Sequence, residues 1–298
     1  AAPASGPLPS PAALAGLRVI EMGQLIAGPF ATKMLGEFGA EVVKIEPPGA
    51  GDPLRNWRLL QDGTSVWWQV QSRNKQSVAI DLRSAEGQDL ARRLIAEADV
   101  LVENFRPGQL EAWGMAPEQL LALNPRLVML RVSGYGQTGP YRDKPGFGVV
   151  AEAMSGLRHL TAEPGRVPVR VGVSIGDTLA SLHGVIGILM ALNERTSSGE
   201  GQFVDVAMVD AVLVGVGTVI ADDPQLTVHD IRSRAEQLQQ SHGLHLLIVD
   251  YLQLIQEHAD SKRPREQQIA AISRALKITA MTLNIPVLAL SQLNRESE

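Results

Sequence analysis

Asp177 stands where an apolar segment ends and a helical pattern begins, directly after Gly176. On spacing alone such a carboxylate caps the helix, because a side-chain oxygen can accept one of the unpaired first-turn N–H groups. Other positions suit binding. Gly28-Pro29 follows a strand pattern and opens a helix. A ligand can approach the backbone there, and helix N-terminal amides can meet an anion; an ordinary βα turn has the same look. Asn104 and Phe105 follow the end of another strand, on the crevice side of a parallel sheet, where ligands bind. Core packing is the alternative for Phe105. Ser133–Tyr141 (SGYGQTGPY) is a glycine-rich loop, open either to a substrate or to a structural turn. Farther on, Asp250 ends an aliphatic strand and Gln292 follows the next one. Lys262, Arg263 and Arg265 form a basic cluster in a polar loop. A strand-end cap and a solvated loop are the plain readings of these two features. His183 reads as a structural or surface residue of the helix after Asp177.

These residues belong to a chain of 298 residues, long enough for two domains or one large one. The hydrophobic share is 45% and the charged share 20%, which excludes a disordered chain. Aromatics make up only 4%, so the core must be aliphatic. There is no cysteine, which excludes disulfides, Cys-ligated zinc and thiol nucleophiles, and fits a cytoplasmic setting. A net charge of −5 lacks the global basic footprint of a nucleic-acid binder. The longest apolar candidate, Ala207–Ile220, is interrupted by Asp210 and too short for a membrane span.

The positioning elements alternate. Leu17–Met22, Glu41–Glu46, Ser77–Leu82, Asp99–Asn104, Arg126–Ser133 and Gln202–Met208 read as strands. Helices are expected from about Pro29 to Phe38, from Ser84 as N-cap to Ala98, and from Thr178 to Arg195. This grammar predicts an α/β fold with a largely parallel, Rossmann-like sheet. Residues 1–13 read as a flexible Pro/Ala/Ser-rich tail. The character changes near residue 220. A helix from Val228 to Gln240, a strand His245–Leu254, a helix Ile269–Leu283 and a strand Pro286–Ser291 then follow.

Residues 14–219 resemble the class III CoA-transferase family. The carriers are LAGLRVIEMGQLIAGPFATKMLGEFGAEVVKIEPPGAGDPLR, SRNKQSVAIDL, VENFRPG, NPRLVMLRVSGYGQTGPY and SIGDTLASLHGVIGILMALNERTSSGEGQFVDVAMVDAVL, in that order. The resemblance implies an enzyme that moves coenzyme A between an acyl-CoA and a carboxylic acid, with coenzyme A as substrate and no bound cofactor. It implies that Asp177 is the nucleophile, not a cap, with Gly176 bare to admit the thioester and first-turn amides to meet oxyanion charge. It also implies coenzyme A contacts at Gln24, Leu25, Ile26, Ala27, Asn104, Phe105 and Lys144. Related racemases carry a His where Phe147 stands here, and Phe147 cannot carry a proton, so transfer is favoured over racemisation. Two further departures are Gly148, where the family has an acidic residue, and Pro47, where some relatives have a basic one. Family chains run on well beyond the matched part and form interlocked dimers. The expectation is therefore an incomplete large domain, with a homodimer if that interlock forms.

Residues 221–298 resemble part of the RecA-like motor of a replicative hexameric DNA helicase, on DDPQLTVHDIRSRAEQL, GLHLLIVDYLQLIQ and REQQIAAISRALKITAMTLNIPVLALSQLNR. That resemblance implies a Walker B role for Asp250, a nucleotide-sensing role for Gln292, and single-stranded DNA facing the basic cluster. The chain contains no Gly-x-x-x-x-Gly-Lys-Ser/Thr cradle, so ATP and Mg²⁺ binding and ATP hydrolysis are not expected. The combined expectation is a CoA-transferase-like α/β domain joined to a partial RecA-like α/β segment, with a helicase fragment or an inactive chimera as alternatives.

Overall fold

Runs of Val, Ile and Leu separated by helical stretches favour a parallel sheet with both faces covered. The computed structural model describes residues 12–163, 165–215, 226–242, 244, 247–249, 252, 255 and 264–289. The chain divides into two compact units between Thr218 and Val219. In the first unit, β1 (Arg18–Glu21), α1 (Ala27–Glu37) and β2 (Glu41–Glu46) are followed by a 3-10 turn, Pro53–Asn56. A small hairpin, β3 (Leu60–Gln61) and β4 (Thr64–Ser65), leads into α2 (Val66–Gln71). Next come β5 (Lys75–Ala79), α3 (Ala85–Ala96), β6 (Val100–Glu103), α4 (Gln109–Ala112), α5 (Pro117–Leu123) and β7 (Val128–Ser133). The unit continues through α6 (Gly148–Met154), α7 (Leu157–Leu160), α8 (Ile175–Ser198), β8 (Phe203–Ala207) and α9 (Met208–Gly215).

Six strands form one sheet in the order β5-β2-β1-β6-β7-β8, and every pairing is parallel. The winding direction reverses between β1 and β6, which opens a crevice beyond their carboxyl ends. Side-chain alternation sorts the core into two layers. Val19, Val100, Val102, Val128 and Leu130 lie in one layer with Ala180 and Ile188 of α8. Ile20, Leu101 and Met129 lie in the other with Ile95 and Leu120.

Ser84 caps α3 as expected, accepting from Gly87 N at 3.0 Å. Two expectations shift. The third strand runs over Lys75–Ala79, not Ser77–Leu82, because the Lys75 ammonium is fixed beneath α1 and anchors the early end of the strand. The long helix starts at Ile175, three residues before the expected Thr178, so Asp177 lies inside its first turn and Ser174 takes the N-cap position. Asp177 is therefore not the cap that spacing suggested. At 24 residues α8 is also the longest apolar helix of the described residues, in place of the Ala207–Ile220 stretch. Its length and composition would suit a membrane span, but Ala180, Ser181, Gly184, Ile188 and Ala191 are buried within the unit.

The second unit contains α10 (Val228–His242), β9 (Leu247–Val249), α11 (Arg265–Leu283) and β10 (Val287–Ala289). The two strands pair in parallel. Ile231, Val249, Ile272 and Leu276 form its core. Asp250, Lys262, Arg263 and Gln292 lie outside the described residues, and Arg265 begins α11.

A buried ion network sets the shape of the loop after β1. Lys44, on strand β2, is 1% exposed, and a buried charge persists only when paired. Its ammonium lies 2.7 Å from Glu21 Oε1, 2.8 Å from Asp52 Oδ2 and 2.7 Å from the Gly23 carbonyl. Lys75 approaches Glu21 Oε2 at 2.7 Å and donates to the Pro29 carbonyl at 2.7 Å. Thr32 Oγ1 also donates to Glu21. Two carboxylates and two ammonium groups thus balance inside the unit, and they clamp both ends of the β1–α1 loop. Lys44→Met should strand Glu21 and Asp52 without their shared cation and cost about 3–5 kcal/mol in urea unfolding. A loss below about 1 kcal/mol would show that the network does not hold this loop.

Candidate active site

Two helix N-termini meet at Asp177. Helix α6 begins at Gly148 and α8 at Ile175, and their first turns touch backbone to backbone. A β-carbon on Gly176 would stand 2.9 Å from the Gly148 carbonyl oxygen and 3.1 Å from Gly148 Cα. A β-carbon on Gly148 would overlap Asp177 Oδ2. The carboxylate therefore lies across a bare patch of backbone at the start of α6. Each helix start exposes unpaired N–H groups and carries roughly half a positive charge, which favours an anion there. The backbone N–H of Asp177 itself hydrogen-bonds the carboxylate. Among the described residues no side chain donates to it, so its oxygens are not consumed by neighbours. The expected role of Gly176 changes accordingly: its missing side chain admits Gly148 rather than a ligand.

Burial raises the Asp177 pKa to about 6. Glu152 pushes it in the same direction by like charge, and Arg170 and Arg58 oppose both. Glu152 is fully buried on α6 and is held by a two-pronged ion pair, with Arg170 Nε at 3.0 Å and Nη2 at 3.0 Å. At neutral pH Asp177 is ionised but poorly solvated, which suits a nucleophile. On α8, Ser181 Oγ lies 2.7 Å from the Asp177 carbonyl and 2.7 Å from the Ala27 carbonyl. That second contact ties the helix bearing Asp177 to the start of α1.

The loop at the switch point carries most of the expected coenzyme A contacts. Asn104 Oδ1 accepts from Gln24 N at 2.7 Å, and Asn104 Nδ2 donates to the Gln24 carbonyl at 2.9 Å. Asn104 is thus a brace for the loop, spending its amide on Gln24 backbone. Leu25 has a left-handed backbone, φ 62°, and its N–H donates to Asp52 Oδ1 at 3.1 Å. Ile26 and Ala27 are buried at the helix entry, backbone and side chain alike, so neither presents an open contact for a ligand. Gly28 abuts Gly23: a β-carbon there would stand 2.9 Å from Gly23 Cα, so its bareness closes the loop rather than admitting a ligand. Phe105 packs edge-on against Trp113 with centroids 5.2 Å apart, and its N–H donates to Glu103 Oε2 at 2.6 Å. Lys144 is exposed on the loop after β7, with only its backbone engaged, at Tyr141 O. The structure thus brings Gln24, Leu25 and Asn104 together and joins Ala27 to the Asp177 helix; it does not bring Lys144 into those contacts.

His183 bonds its own helix, with Nδ1 2.8 Å from the Leu179 carbonyl, which agrees with a structural role. Phe147 is 63% exposed just before α6 and supplies no proton carrier. Among the described residues no cluster of His, Cys, Asp or Glu could hold a metal ion. The Gly148 seat and the Glu152–Arg170 pair left no signal in the sequence. The Lys44–Asp52 contact left one that was not read, a lysine inside the buried strand EVVKIE. Arg58 was missed as well, although three of the chain's four tryptophans flank it between residues 57 and 68.

A sequence model described as CoA-transferase family III matches residues 14–246. The chain is 52% identical over 225 residues to succinyl-CoA–D-citramalate CoA-transferase of Chloroflexus aurantiacus, covering 75% of this chain and 56% of that protein. It is 49% identical over 219 residues to the alpha subunit of succinyl-CoA–L-malate CoA-transferase of Chloroflexus aurantiacus, covering 70% of this chain and 51% of that subunit. A crystal structure of a CAIB/BAIF family protein from Brucella suis superposes with a TM-score of 0.67 at 34% identity, covering 78% of this chain and 58% of the other. The chain spans about half the length of the curated relatives it matches. The family match runs past the change of character near residue 220, and none of these findings supports the helicase resemblance of 221–298 or a chimera. Sheet order, the Asp177 seat and the match over residues 14–246 agree: the chain belongs to CoA-transferase family III.

Proposed function

We propose that this chain carries the nucleophile-bearing part of a CoA-transferase that exchanges coenzyme A between an acyl-CoA and a carboxylic acid. The observation that carries this reading is the Asp177 carboxylate lying across two helix starts with both oxygens free of side-chain donors. In the reading, an Asp177 oxygen attacks the thioester carbonyl carbon and the C–S bond breaks. This gives an acyl-aspartyl anhydride and CoA thiolate. The thiolate attacks the aspartyl carbonyl, releasing the donor acid and leaving a thioester on Asp177. An acceptor carboxylate attacks that carbonyl and expels the thiolate, which then attacks the acceptor acyl carbon and frees Asp177. No electrons are gained or lost, and each step exchanges one acyl bond for another. Helix-start N–H groups support the oxyanion formed at each attack. The relatives' names share succinyl-CoA with malate or citramalate, so we assign the substrates to short dicarboxylic acids and their thioesters.

Incubation with succinyl-CoA should give a covalent adduct by intact mass, and its rate should fall about tenfold per pH unit below the Asp177 pKa of about 6. A rate that stays flat between pH 5 and pH 7 would contradict ionised Asp177 as nucleophile. The same burial makes Asp177 costly to the fold. Its native pKa lies above the ordinary 3.8, so the native state holds the extra proton between these values and the penalty is present above about pH 6. Asp177→Asn should therefore stabilise the chain by about 2–3 kcal/mol at pH 7, at roughly 1.4 kcal/mol per pK unit, with the gain gone below about pH 4. An equal gain at both pH values would contradict this burial cost. Gly176→Ala should slow adduct formation ~10–100-fold, because the new methyl forces the helix starts apart and moves the carboxylate. An unchanged rate would show that the contact does not position Asp177.

A further inference from the structure

Arg58 carries its charge beside aromatic rings. It is exposed, its backbone is left-handed at φ 59°, and among the described residues no hydrogen bond or ion pair engages it. Its Cζ lies 5.2 Å from the Trp57 ring centroid and 5.4 Å from that of Trp67. Nearby Arg55 shows the contrast: it stacks on Trp68 at 3.9 Å, but its N–H groups are spent on Glu46 at 2.7 and 2.8 Å. Aromatic contact holds a guanidinium by its face and leaves the N–H edge free, the edge that matches a carboxylate with two parallel hydrogen bonds. A strained backbone persists where the surroundings enforce it, and such positions gather at functional sites. Here the surroundings are specific. Ser65 Oγ donates to the Trp57 carbonyl at 2.8 Å, and Val66 N donates to the Leu59 carbonyl at 3.1 Å, bracketing Arg58.

The segment is also placed at the site. Asp52 Oδ1 accepts from Leu54 N at 2.8 Å and from Leu25 N at 3.1 Å, so the turn leading into Trp57 is fastened to the loop after β1. That loop is in turn joined through Ala27 to Ser181, one turn beyond Asp177. Of the two arginines whose charges favour the Asp177 carboxylate, Arg170 is committed to Glu152. A dicarboxylate reacting at Asp177 brings a second negative charge toward a carboxylate, which is unfavourable without a cation to receive it.

We propose that Arg58, held against Trp57 and Trp67, is the specificity-determining residue that receives the remote carboxylate of a dicarboxylic substrate while the other carboxyl group reacts at Asp177. The assignment rests on the transferase reading, and two measurements separate them. Calorimetry on the full chain carrying Asp177→Asn, where no turnover occurs, compares succinyl-CoA with butyryl-CoA, which lacks the remote carboxylate. The succinyl form should bind about tenfold or more tightly, the effect of a two-pronged charged hydrogen bond. Adding Arg58→Gln should erase that preference, Arg58→Lys should keep part of it, and Arg83→Gln, at an exposed arginine paired with Asp81, should leave it intact. A preference that is absent, or that survives Arg58→Gln, overturns the assignment. Adduct formation by the unaltered chain with succinyl-CoA reports on the transferase reading. An adduct without an Arg58-dependent preference sinks Arg58 alone. A preference without an adduct leaves Arg58 as a binding residue and sinks the transferase reading.

Discussion

Everything proposed for this chain turns on a contact between two backbones. Gly148 and Gly176 bring the first turns of α6 and α8 so close that neither position has room for a side chain. The contact fixes where Asp177 lies, strips water from its carboxylate and sets that carboxylate beside unpaired amide donors. Burial and donor supply oppose each other there. Burial dominates, lifting the pKa to about 6 while leaving the group ionised at neutral pH. A more solvated aspartate would be a weaker nucleophile, and one tied to several amides would be weaker still. The site thus keeps a destabilised charge at its centre, as sites that trade stability for reactivity do.

The same economy governs the neighbouring loop. The course of residues 22–26 is set by Lys44 beneath them, Asn104 beside them and Asp52 on the next segment. Polar groups that could have bound a ligand are spent on holding backbone. Gln24 and Leu25, half-buried at the point where the sheet changes winding direction, are the most accessible residues of this loop. Ser181 joins the loop to the helix bearing Asp177. The β1–α1 loop and the helix bearing Asp177 therefore share one mechanical frame within the first unit.

The sheet was largely legible in the sequence, because buried parallel strands read as aliphatic runs and helices between them carry caps such as Ser84. Boundaries were less so. The expected strand Ser77–Leu82 moved because a lysine fastened to Glu21 outweighs the apolar run of Val78 and Ile80. Asp177 stands out in the sequence, but spacing misplaces its local role: the cap Ser174 and the first-turn carboxylate differ by three residues, within the uncertainty of a helix start read from sequence alone. Gly148 looked like a loss of an acidic family residue, and the structure shows it as the seat for the carboxylate. Arg58 left only a coarse signal, the tryptophans clustered around it, since nothing in NWR tells which aromatic faces converge or that, among the described residues, no ion pair engages it. The helicase-like roles of Asp250 and Gln292 lie outside the described residues.

The central claim is that an Asp177 oxygen forms the acyl bond. Trapping the adduct with hydroxylamine and mapping peptides by mass spectrometry tests this directly. A hydroxamate is expected on Asp177 and on no other acidic residue. A hydroxamate on Glu152 or another acidic residue, with the Asp177 peptide unmodified, would contradict it.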